Sequence, residues 1–331
     1  MGKRNAKIAG TGMYVPPKVV ENSYFNELLG EDVDTWLREN VQVYERRWTG
    51  DDESTADLAE KAALKALERA NIKPADLDLI IISTDTPEYL SPSTASVVQH
   101  RLGATKAGTF DVNTACAGFV TALDMAAKYI QADSRYKQVL VVGAYNMSKF
   151  LNKSDKKTVT LFADGAGAAV VSATEDGESG MLSSMLETRG EYADWMGIYA
   201  GGAKEPVSPE VLDSKTHLLQ FVHKFPKELN PFTWTAMIES LCGEAGITPN
   251  DVNRFFITQI NINAIHETMD KLGIERERAE YVMHNYGYTG SACIPMALDQ
   301  AVSNNKIKRG DYLMFIGSGG GLAFAGALFK F

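Results

Sequence analysis

Two stretches of this sequence, 175 residues apart, carry the same order of structural signals. Residues 70–82 read ANIKPADLDLIII, and residues 245–257 read AGITPNDVNRFFI. Each follows an amphipathic helical pattern, passes through a Pro-x-Asp turn and enters an apolar segment typical of a buried strand. The similarity continues at the same offset with TALDMAA (121–127) and MALDQAV (296–302). The sequence therefore predicts one structural unit that occurs twice.

The order of elements within each unit predicts the fold class. Helical and strand patterns alternate, and each unit closes on a glycine-rich hairpin, LFADGAGAAVV (161–171) or IGSGGGLAFAGAL (316–328). Such alternation produces parallel strands joined by crossover helices, and apolar runs such as VLVV (139–142) suit strands buried on both faces. We therefore expect an α/β fold of five layers, αβαβα, with mixed, mostly parallel sheets.

The repeat also predicts how the chain divides. The two halves are residues 1–174 and 175–331, and we expect them to pack as one compact body. Residues 176–214 have no recognisable counterpart in the first half. We expect a hairpin and loop excursion there, serving as a lid or as the wall of a tunnel.

The composition argues against several classes of function. A formal net charge of −9 is the opposite of what a nucleic-acid-binding surface requires. No segment approaches the roughly 18 apolar residues of a membrane span, and the N-terminal segment lacks the apolar core of a secretory signal. Cys116, Cys242 and Cys293 are too widely spaced for a disulfide framework or a metal site. We expect a cytoplasmic protein without a bound metal.

One of these cysteines lies in a pattern that favours nucleophilic chemistry. In VNTACAGFVTAL (112–123), Cys116 follows a predicted strand and begins a predicted helix. The positive end of the helix dipole favours a thiolate, and the small neighbours Ala115, Ala117 and Gly118 leave room for a substrate. The alternative is an inert cysteine, because cysteine is among the most buried residue types. The agreement of strand, turn and helix favours the nucleophile.

The region around Cys116 resembles a known enzyme family, β-ketoacyl-acyl carrier protein synthase III of the thiolase superfamily. Four segments carry the similarity: IAGTGMYVPPKVVEN (8–22), SPSTASVVQHRLGA (91–104), GTFDVNTACAGF (108–119) and GSGGGLAFAGALFKF (317–331). The resemblance implies the duplicated, five-layer thiolase-like fold and a Cys116 that an acyl thioester acylates. It also implies an oxyanion hole formed by the backbone N–H groups of Cys116 and Gly320. The GSGGG segment is equally typical of a tight hairpin.

The sequence departs from the family at two catalytic positions. Gln259 stands where the family has a histidine, and Tyr288 stands where it has an asparagine. We predict both to be catalytic with Cys116, because each can donate a hydrogen bond to a developing oxyanion. Glutamine cannot accept a proton at neutral pH, so a general base would have to come from elsewhere. His284 is the nearest histidine in the sequence, although a packing role is more common for such a residue.

The resemblance also implies how the substrates bind. Trp36 matches a tryptophan that stacks on the adenine of coenzyme A, and Lys156 retains a nearby basic residue. Asn40 and Ala264 replace arginines, which weakens the attraction for coenzyme A and for acyl carrier protein, since both are anionic. Trp36 could equally be a packing residue. We expect no permanently bound cofactor, thioesters of coenzyme A or acyl carrier protein as substrates, acyl carrier protein as a partner, and a homodimer.

Three functions fit these residues. The leading one is acylation of Cys116 followed by decarboxylative condensation with a malonyl thioester. The second is acyl transfer without decarboxylation, to an alcohol, an amine or water. The third is a non-condensing subunit that pairs with an active homologue. The changes at Gln259 and Tyr288 favour a specialised lipid or polyketide over ordinary fatty acids as the product class.

Overall fold

The computed structural model describes residues 4–331. Its strands are β1 (Asn5–Tyr14), β2 (Lys18–Glu21), β3 (Glu45–Trp48), β4 (Leu79–Ser83), β5 (Gly108–Val112), β6 (Gln138–Asn146), β7 (Asp164–Thr174), β8 (Gly180–Thr188), β9 (Met196–Gly197), β10 (Gln220–Phe221), β11 (Arg254–Ile257), β12 (Tyr312–Gly319) and β13 (Ala323–Lys330). Its α-helices are α1 (Asn22–Leu29), α2 (Asp34–Trp36), α3 (Thr55–Ala70), α4 (Thr94–Leu102), α5 (Gly118–Ala132), α6 (Lys156–Val159), α7 (Pro209–Ser214), α8 (Leu229–Glu244), α9 (Ile262–Lys271), α10 (Met283–Tyr286) and α11 (Cys293–Ser303). Within this described range, no helix combines the length and the apolar character needed to cross a membrane.

Two sheets repeat one strand order, which confirms the predicted duplication. The first sheet has the order β1-β7-β6-β4-β5, and the second has the order β8-β13-β12-β11. Where the first sheet continues to β5, the second has a single parallel bridge between Phe255 and Ala279. Among the described strands, the parallel pairs are β6-β4, β4-β5 and β12-β11. The sheets are therefore mixed but not mostly parallel, because each closing hairpin and each first strand adds antiparallel pairs.

Part of the predicted excursion belongs to the second sheet. β8 pairs antiparallel with β13, from Lys330 opposite Gly180 to Ala323 opposite Thr188. β8 therefore occupies the position beside β13 that β1 occupies beside β7 in the first sheet. The prediction missed the strand because one face of β8 is exposed, so its sequence lacks a continuous apolar run. The segment without a counterpart begins after Thr188 and contains α7 and the short β9–β10 ladder.

Three apolar clusters define five layers. One cluster packs α3 and α4 on the outer face of the first sheet. A second packs α8 and α9 on the outer face of the second sheet. The largest lies between the sheets and includes α5 and α11 from the two halves. Helix α5 is buried along Val120, Leu123, Ala127 and Ile130, one face of the helix.

The turns that precede α5 and α11 each press on a strand of the opposite half. A Cβ added to Gly317 in β12 would lie 2.8 Å from Cα of Ala117. A Cβ added to Gly143 in β6 would lie 2.2 Å from the carbonyl oxygen of Ser291. Glycine is required at both places because backbone meets backbone. This contact fixes the turn that carries Cys116.

Candidate active site

Cys116 lies in a short 3₁₀ turn, Ala115–Ala117, between β5 and α5. Ala115 has a φ of 46°, a left-handed conformation that is strained for a residue with a side chain. The Asn113 Oδ1 atom accepts a hydrogen bond of 3.0 Å from the Ala115 N–H and supports this turn. The predicted strand–turn–helix arrangement around Cys116 is thus confirmed, and the strain is stored at the residue that precedes the thiol.

The protonation state of Cys116 differs from the prediction. Burial raises the pKa of its thiol well above the usual value, and the charge of Asp85 raises it further. The predicted stabilisation of the thiolate by the helix N-terminus is opposed by burial, because Cys116 is only 5% exposed and desolvation is the largest influence on its pKa. At neutral pH the residue is a thiol and must lose a proton before it can attack a thioester.

A cavity of about 270 Å³ opens beside the thiol. Residues of both halves line it: Asp85, Asn113, Ala115, Cys116, Ala193, Met196, Gly197, Ile198, Tyr199, Leu219, Gly320 and Gly321. The segment that follows β8 supplies one wall, from Ala193 to Tyr199. The cavity therefore brings the cysteine of the first half together with the glycine-rich hairpin of the second.

Tyr288 is placed against the thiol by its backbone. Its N–H donates to the Leu161 carbonyl and its carbonyl accepts from the Ala163 N–H, each at 2.9 Å. The side chain is 2% exposed, and its hydroxyl lowers the pKa of the Cys116 thiol, against the larger rise that burial causes. Burial raises the pKa of Tyr288 well above its usual value. Its hydroxyl therefore stays protonated and can donate to a thiolate or to an oxyanion.

Gln259 has a different environment from Tyr288. Its Oε1 atom accepts from the Val282 N–H at 2.8 Å and from the Met283 N–H at 3.2 Å. Its Nε2 atom donates to the Glu280 carbonyl at 2.9 Å. The side chain thus bridges the loop after β11 to the backbone before α10, and it is not among the residues that line the cavity. A direct catalytic role for Gln259 stays a prediction.

Gly320 faces Cys116 across the cavity. The neighbouring Gly319 approaches so closely that an added Cβ would lie 2.5 Å from the Cys116 backbone nitrogen. Gly320 itself lines the cavity with Cys116, on the hairpin between β12 and β13. The structure therefore brings together the two residues predicted to form an oxyanion hole, and that role stays a prediction.

Known proteins are similar to this chain over nearly its whole length. A sequence model described as 3-oxoacyl-(acyl-carrier-protein) synthase III matches residues 110–190, and the model of its C-terminal region matches residues 242–331. A β-ketoacyl-acyl carrier protein synthase III of Aliarcobacter butzleri is 36% identical over 327 residues, covering 98% of each chain. The chain belongs to the β-ketoacyl-acyl carrier protein synthase III family.

Two further relatives agree with this assignment to the synthase III family. A synthase III of Clostridioides difficile is 36% identical over 329 residues, covering 98% of each chain. The crystal structure of a synthase III from Aquifex aeolicus superposes with a TM-score of 0.89 at 32% identity and covers 98% of this chain and 100% of that one. The predicted fold, thiolase-like and duplicated, is therefore confirmed.

The residues of this chain that were predicted to bind coenzyme A lie outside the cavity lining. Trp36 ends α2 and is 49% exposed, so it is free to stack on a ligand and is not a core residue. Lys156 begins α6, and its Nζ atom pairs with Glu31 at 2.9 Å. This ion pair with Glu31 must break before the Lys156 ammonium group can bind a phosphate. The binding roles of Trp36 and Lys156 stay predictions.

His284 has a packing role in the structure. Its ring stacks on Tyr44 with a centroid separation of 5.8 Å, and its Nδ1 atom lies 2.6 Å from the Gln42 carbonyl oxygen. It is not among the residues that line the cavity. His284 is therefore not placed to take the proton of Cys116.

Asp85 and Tyr145 were not singled out from the sequence. Asp85 follows β4 and lines the cavity, and its Oδ1 atom is buried without a hydrogen-bond partner. Burial raises the pKa of Asp85 to about 6. The Tyr145 hydroxyl is also buried without a partner, and burial followed by the charge of Asp85 raises its pKa well above the usual value. The sequence could have indicated Asp85, because it directly follows a predicted parallel strand and α/β folds form their binding sites at the carboxyl ends of such strands.

Proposed function

We propose that this chain accepts an acyl group from a thioester on Cys116 and condenses it with a malonyl thioester. The observation that carries this proposal is the environment of one sulfur atom. Cys116 stands on a strained turn, lines a cavity that both halves form, and has a pKa that the Tyr288 hydroxyl lowers and the charge of Asp85 raises. Membership of the β-ketoacyl-acyl carrier protein synthase III family supports the same reaction.

The first half-reaction is acyl transfer to the thiol. The Cys116 sulfur forms a bond to the carbonyl carbon of the donor, and the bond from that carbon to the carrier sulfur breaks. The backbone N–H groups of Cys116 and Gly320 hold the intermediate oxyanion, and the carrier leaves as a thiol once it receives a proton. The acyl chain then occupies the space bounded by Met196 and Tyr199.

The second half-reaction is decarboxylation and condensation. Loss of carbon dioxide leaves an enolate, whose oxygen requires a hydrogen-bond donor aimed at it. Tyr288 is the proposed donor, since its hydroxyl acts on the Cys116 thiol and its high pKa keeps the proton on the hydroxyl. The enolate carbon attacks the acyl carbon, and the bond to the Cys116 sulfur breaks. Gln259 acts as a positioning residue, since it ties together the loop after β11 and the segment that leads to Tyr288.

The carrier and the assembly follow from the surface. Exposed Trp36 and nearby Lys156 are the proposed contacts for coenzyme A, with acyl carrier protein as the carrier of the malonyl group. A homodimer is supported by β5, which lies at an edge of the first sheet, and by Leu90, which is 85% exposed. Sedimentation velocity measures the dimer directly. The expected location of this protein is the cytoplasm.

Intact-mass spectrometry tests the reaction. The protein is incubated with a panel of acyl-coenzyme A donors and then with malonyl-acyl carrier protein. We expect an acyl adduct on wild type and on Cys242→Ala, whose altered cysteine lies in α8 outside the cavity, but no adduct on Cys116→Ala. The chase should remove the adduct and yield a β-ketoacyl product. A protein that acquires no adduct from any donor contradicts the proposal and points to a non-condensing subunit.

One observation favours a second candidate function. The Gln259 side chain is engaged by three backbone groups, whereas the carboxylate of Asp85 faces the cavity. A carboxylate can deprotonate an alcohol, an amine or water, which suits acyl transfer without decarboxylation. An adduct that survives the malonyl chase but is lost to such an acceptor would establish this function instead.

A further inference from the structure

The pseudo-symmetry of the fold places two equivalent loops beside the cysteine. β4 in the first sheet and β11 in the second occupy the same position in the strand order. The sequence offset of 175 residues sets Thr84 opposite Gln259. Gln259 cannot act as a base, but its loop has an equivalent loop in the first half. In that equivalent loop, Asp85 directly follows Thr84.

Asp85 is the acidic group of the cavity. Of the described side chains that line it, Asp85 is the one carboxylate, and none is a histidine, lysine or arginine. The Oδ1 atom of Asp85 is buried and makes no hydrogen bond within the described chain. Buried polar atoms are nearly always paired, so an unpaired carboxylate oxygen beside a reactive sulfur requires an explanation.

The chemistry of Cys116 supplies a use for this carboxylate. The thiol is protonated at rest, because burial and the charge of Asp85 both raise its pKa. Gln259 cannot accept the proton, and the ring of His284 is engaged with Tyr44 and the Gln42 carbonyl. The carboxylate that shares the cavity with the sulfur remains as the acceptor.

We propose that Asp85 is the catalytic base for acylation of Cys116. This inference rests on the proposed function. As the sulfur bonds to the acyl carbon, its proton passes to the Asp85 carboxylate, directly or through one water molecule. The bond from the acyl carbon to the donor sulfur then breaks, and the proton passes from Asp85 to the departing thiolate. Asp85 ends the step ionised, as it began.

The groups around Asp85 determine the pH range of this step. Cys116 faces it from the turn before α5 and Tyr145 from β6, while Tyr288, Cys293 and Asp164 act on these two neighbours. Desolvation raises the pKa of Asp85 to about 6, and Tyr145 and Tyr288 remain neutral throughout the physiological range. The carboxylate form therefore increases through pH 6, and the acylation rate should rise with it to a plateau.

The test measures the rate of Cys116 acylation between pH 5 and pH 8 in wild type, Asp85→Asn and Asp85→Glu. A matched control is Asp133→Asn, which changes a partly exposed carboxylate that is paired with Arg135 and lies outside the cavity. The donors are an acyl-coenzyme A and p-nitrophenyl acetate, which acetylates thiols without a carrier, and Cys116→Ala gives the background. We expect Asp85→Asn to be slower by about 10²–10⁴-fold with both donors and to lose the rise near pH 6. Asp85→Glu should keep that rise, and Asp133→Asn should match wild type.

The outcomes separate this inference from the proposed function. If Asp85→Asn is acylated as fast as wild type, or faster because a repelling charge has gone, Asp85 is not the base. If wild type takes no thioester but reacts with p-nitrophenyl acetate faster than Asp85→Asn does, the proposed function fails and the role of Asp85 stands. If Asp85→Asn does not fold, a wild-type profile without a rise near pH 6 overturns the inference.

Discussion

Cys116 has two neighbours that act on its thiol in opposite directions. The Asp85 charge raises the pKa of the thiol, whereas the hydrogen bond with Tyr288 lowers it. The base and the donor therefore face one sulfur atom, and each can be removed by a nearly isosteric substitution, Asp85→Asn or Tyr288→Phe. These two neighbours are the residues through which the reactivity of Cys116 can be changed without altering the cysteine.

Tyr288→Phe should slow every reaction of Cys116 that passes through a thiolate. Loss of the hydroxyl removes a donor to the charged sulfur, so the pKa of Cys116 rises further. A rise of one pKa unit reduces the thiolate fraction about tenfold. We expect alkylation by iodoacetamide at pH 8 to slow by about that factor, with Tyr129→Phe on an exposed face of α5 as the control. Equal rates in wild type and Tyr288→Phe would show that the hydroxyl does not act on the sulfur.

Asp85 should make the folded protein less stable as the pH rises. Its pKa in the folded chain is about 6 against a usual value of 3.8, so the folded state binds the proton more tightly than the unfolded state. Stability is therefore lost between about pH 4 and pH 6, to a maximum of about 3 kcal/mol. Asp85→Asn should have a higher free energy of unfolding in urea than wild type at pH 7.5 and an equal one at pH 4. A variant less stable than wild type at pH 7.5 would mean that the carboxylate has a stabilising partner.

Residue types were easier to predict from the sequence than residue environments. The position of Cys116 follows from its turn and small neighbours, and Tyr288 stands against the sulfur as its place in the sequence indicated. The partners of Gln259 lie 21 to 24 residues further along the chain, which no local pattern reveals. The raised pKa of Cys116 could not be anticipated either, because desolvation depends on packing from both halves.

At the scale of elements, the two 3₁₀ turns form a matched pair. Cys116 lies at the centre of one, and Ser291 lies at the centre of the other, 175 residues later. The Ser291 hydroxyl is within 3.1 Å of the Ser83 carbonyl and 3.0 Å of the Ala144 carbonyl. The same turn therefore presents a reactive side chain in one half and a structural hydrogen-bonding side chain in the other.

Gly317→Ala and Gly143→Ala test this difference. Each adds a methyl group that meets the backbone of a turn, so each should lower the free energy of unfolding by about 1–3 kcal/mol. Gly317→Ala displaces the turn of Cys116 and should also slow acylation. Gly143→Ala displaces the turn of Ser291 and should retain more of the acylation rate. The two measurements are urea unfolding and adduct formation by mass spectrometry. Equal losses of acylation in the two variants would contradict the different roles of the two turns.

The elements with continuous apolar runs were predicted, and those without were not. β4 and β6 are buried along nearly their whole length, and the continuous apolar runs in their sequences predict this burial. β8 alternates between buried and exposed residues and was assigned to an excursion. The antiparallel share of the sheets was also underestimated, since pairing direction follows from the connections between strands and not from their composition.

Across the whole molecule, the halves are joined by polar contacts as well as by the central apolar cluster. The buried Asp299 carboxylate of α11 accepts from the Thr11 hydroxyl at 2.8 Å and pairs with Arg69 of α3. Arg309 donates to the Ile8 carbonyl at 2.9 Å. The second half is thus bound to β1 and to the outer helix α3 of the first half.

Residues 4–331 should therefore unfold in one transition. Trp48 reports on the first half and Trp234 on the second, and both are buried. Chains that retain only one of these tryptophans should give the same urea midpoint by fluorescence, coincident with far-UV circular dichroism. Asp299→Ala should shift both midpoints together, because it weakens the joint and leaves Arg69 without its buried partner. Separate midpoints would show that the halves fold as independent domains.

The contrast between Cys116 and Ser291 bears on how a duplicated chain can evolve. Two identical units that associate as separate molecules must carry the same residue at both turns, so a change that helps one turn is forced on the other. Joining the units in one chain removes that restriction. Here one turn carries the sulfur of Cys116, and the other carries a hydroxyl that contacts two backbone carbonyls of the first half. A duplicated chain can therefore use one of its two equivalent turns for chemistry and the other for support.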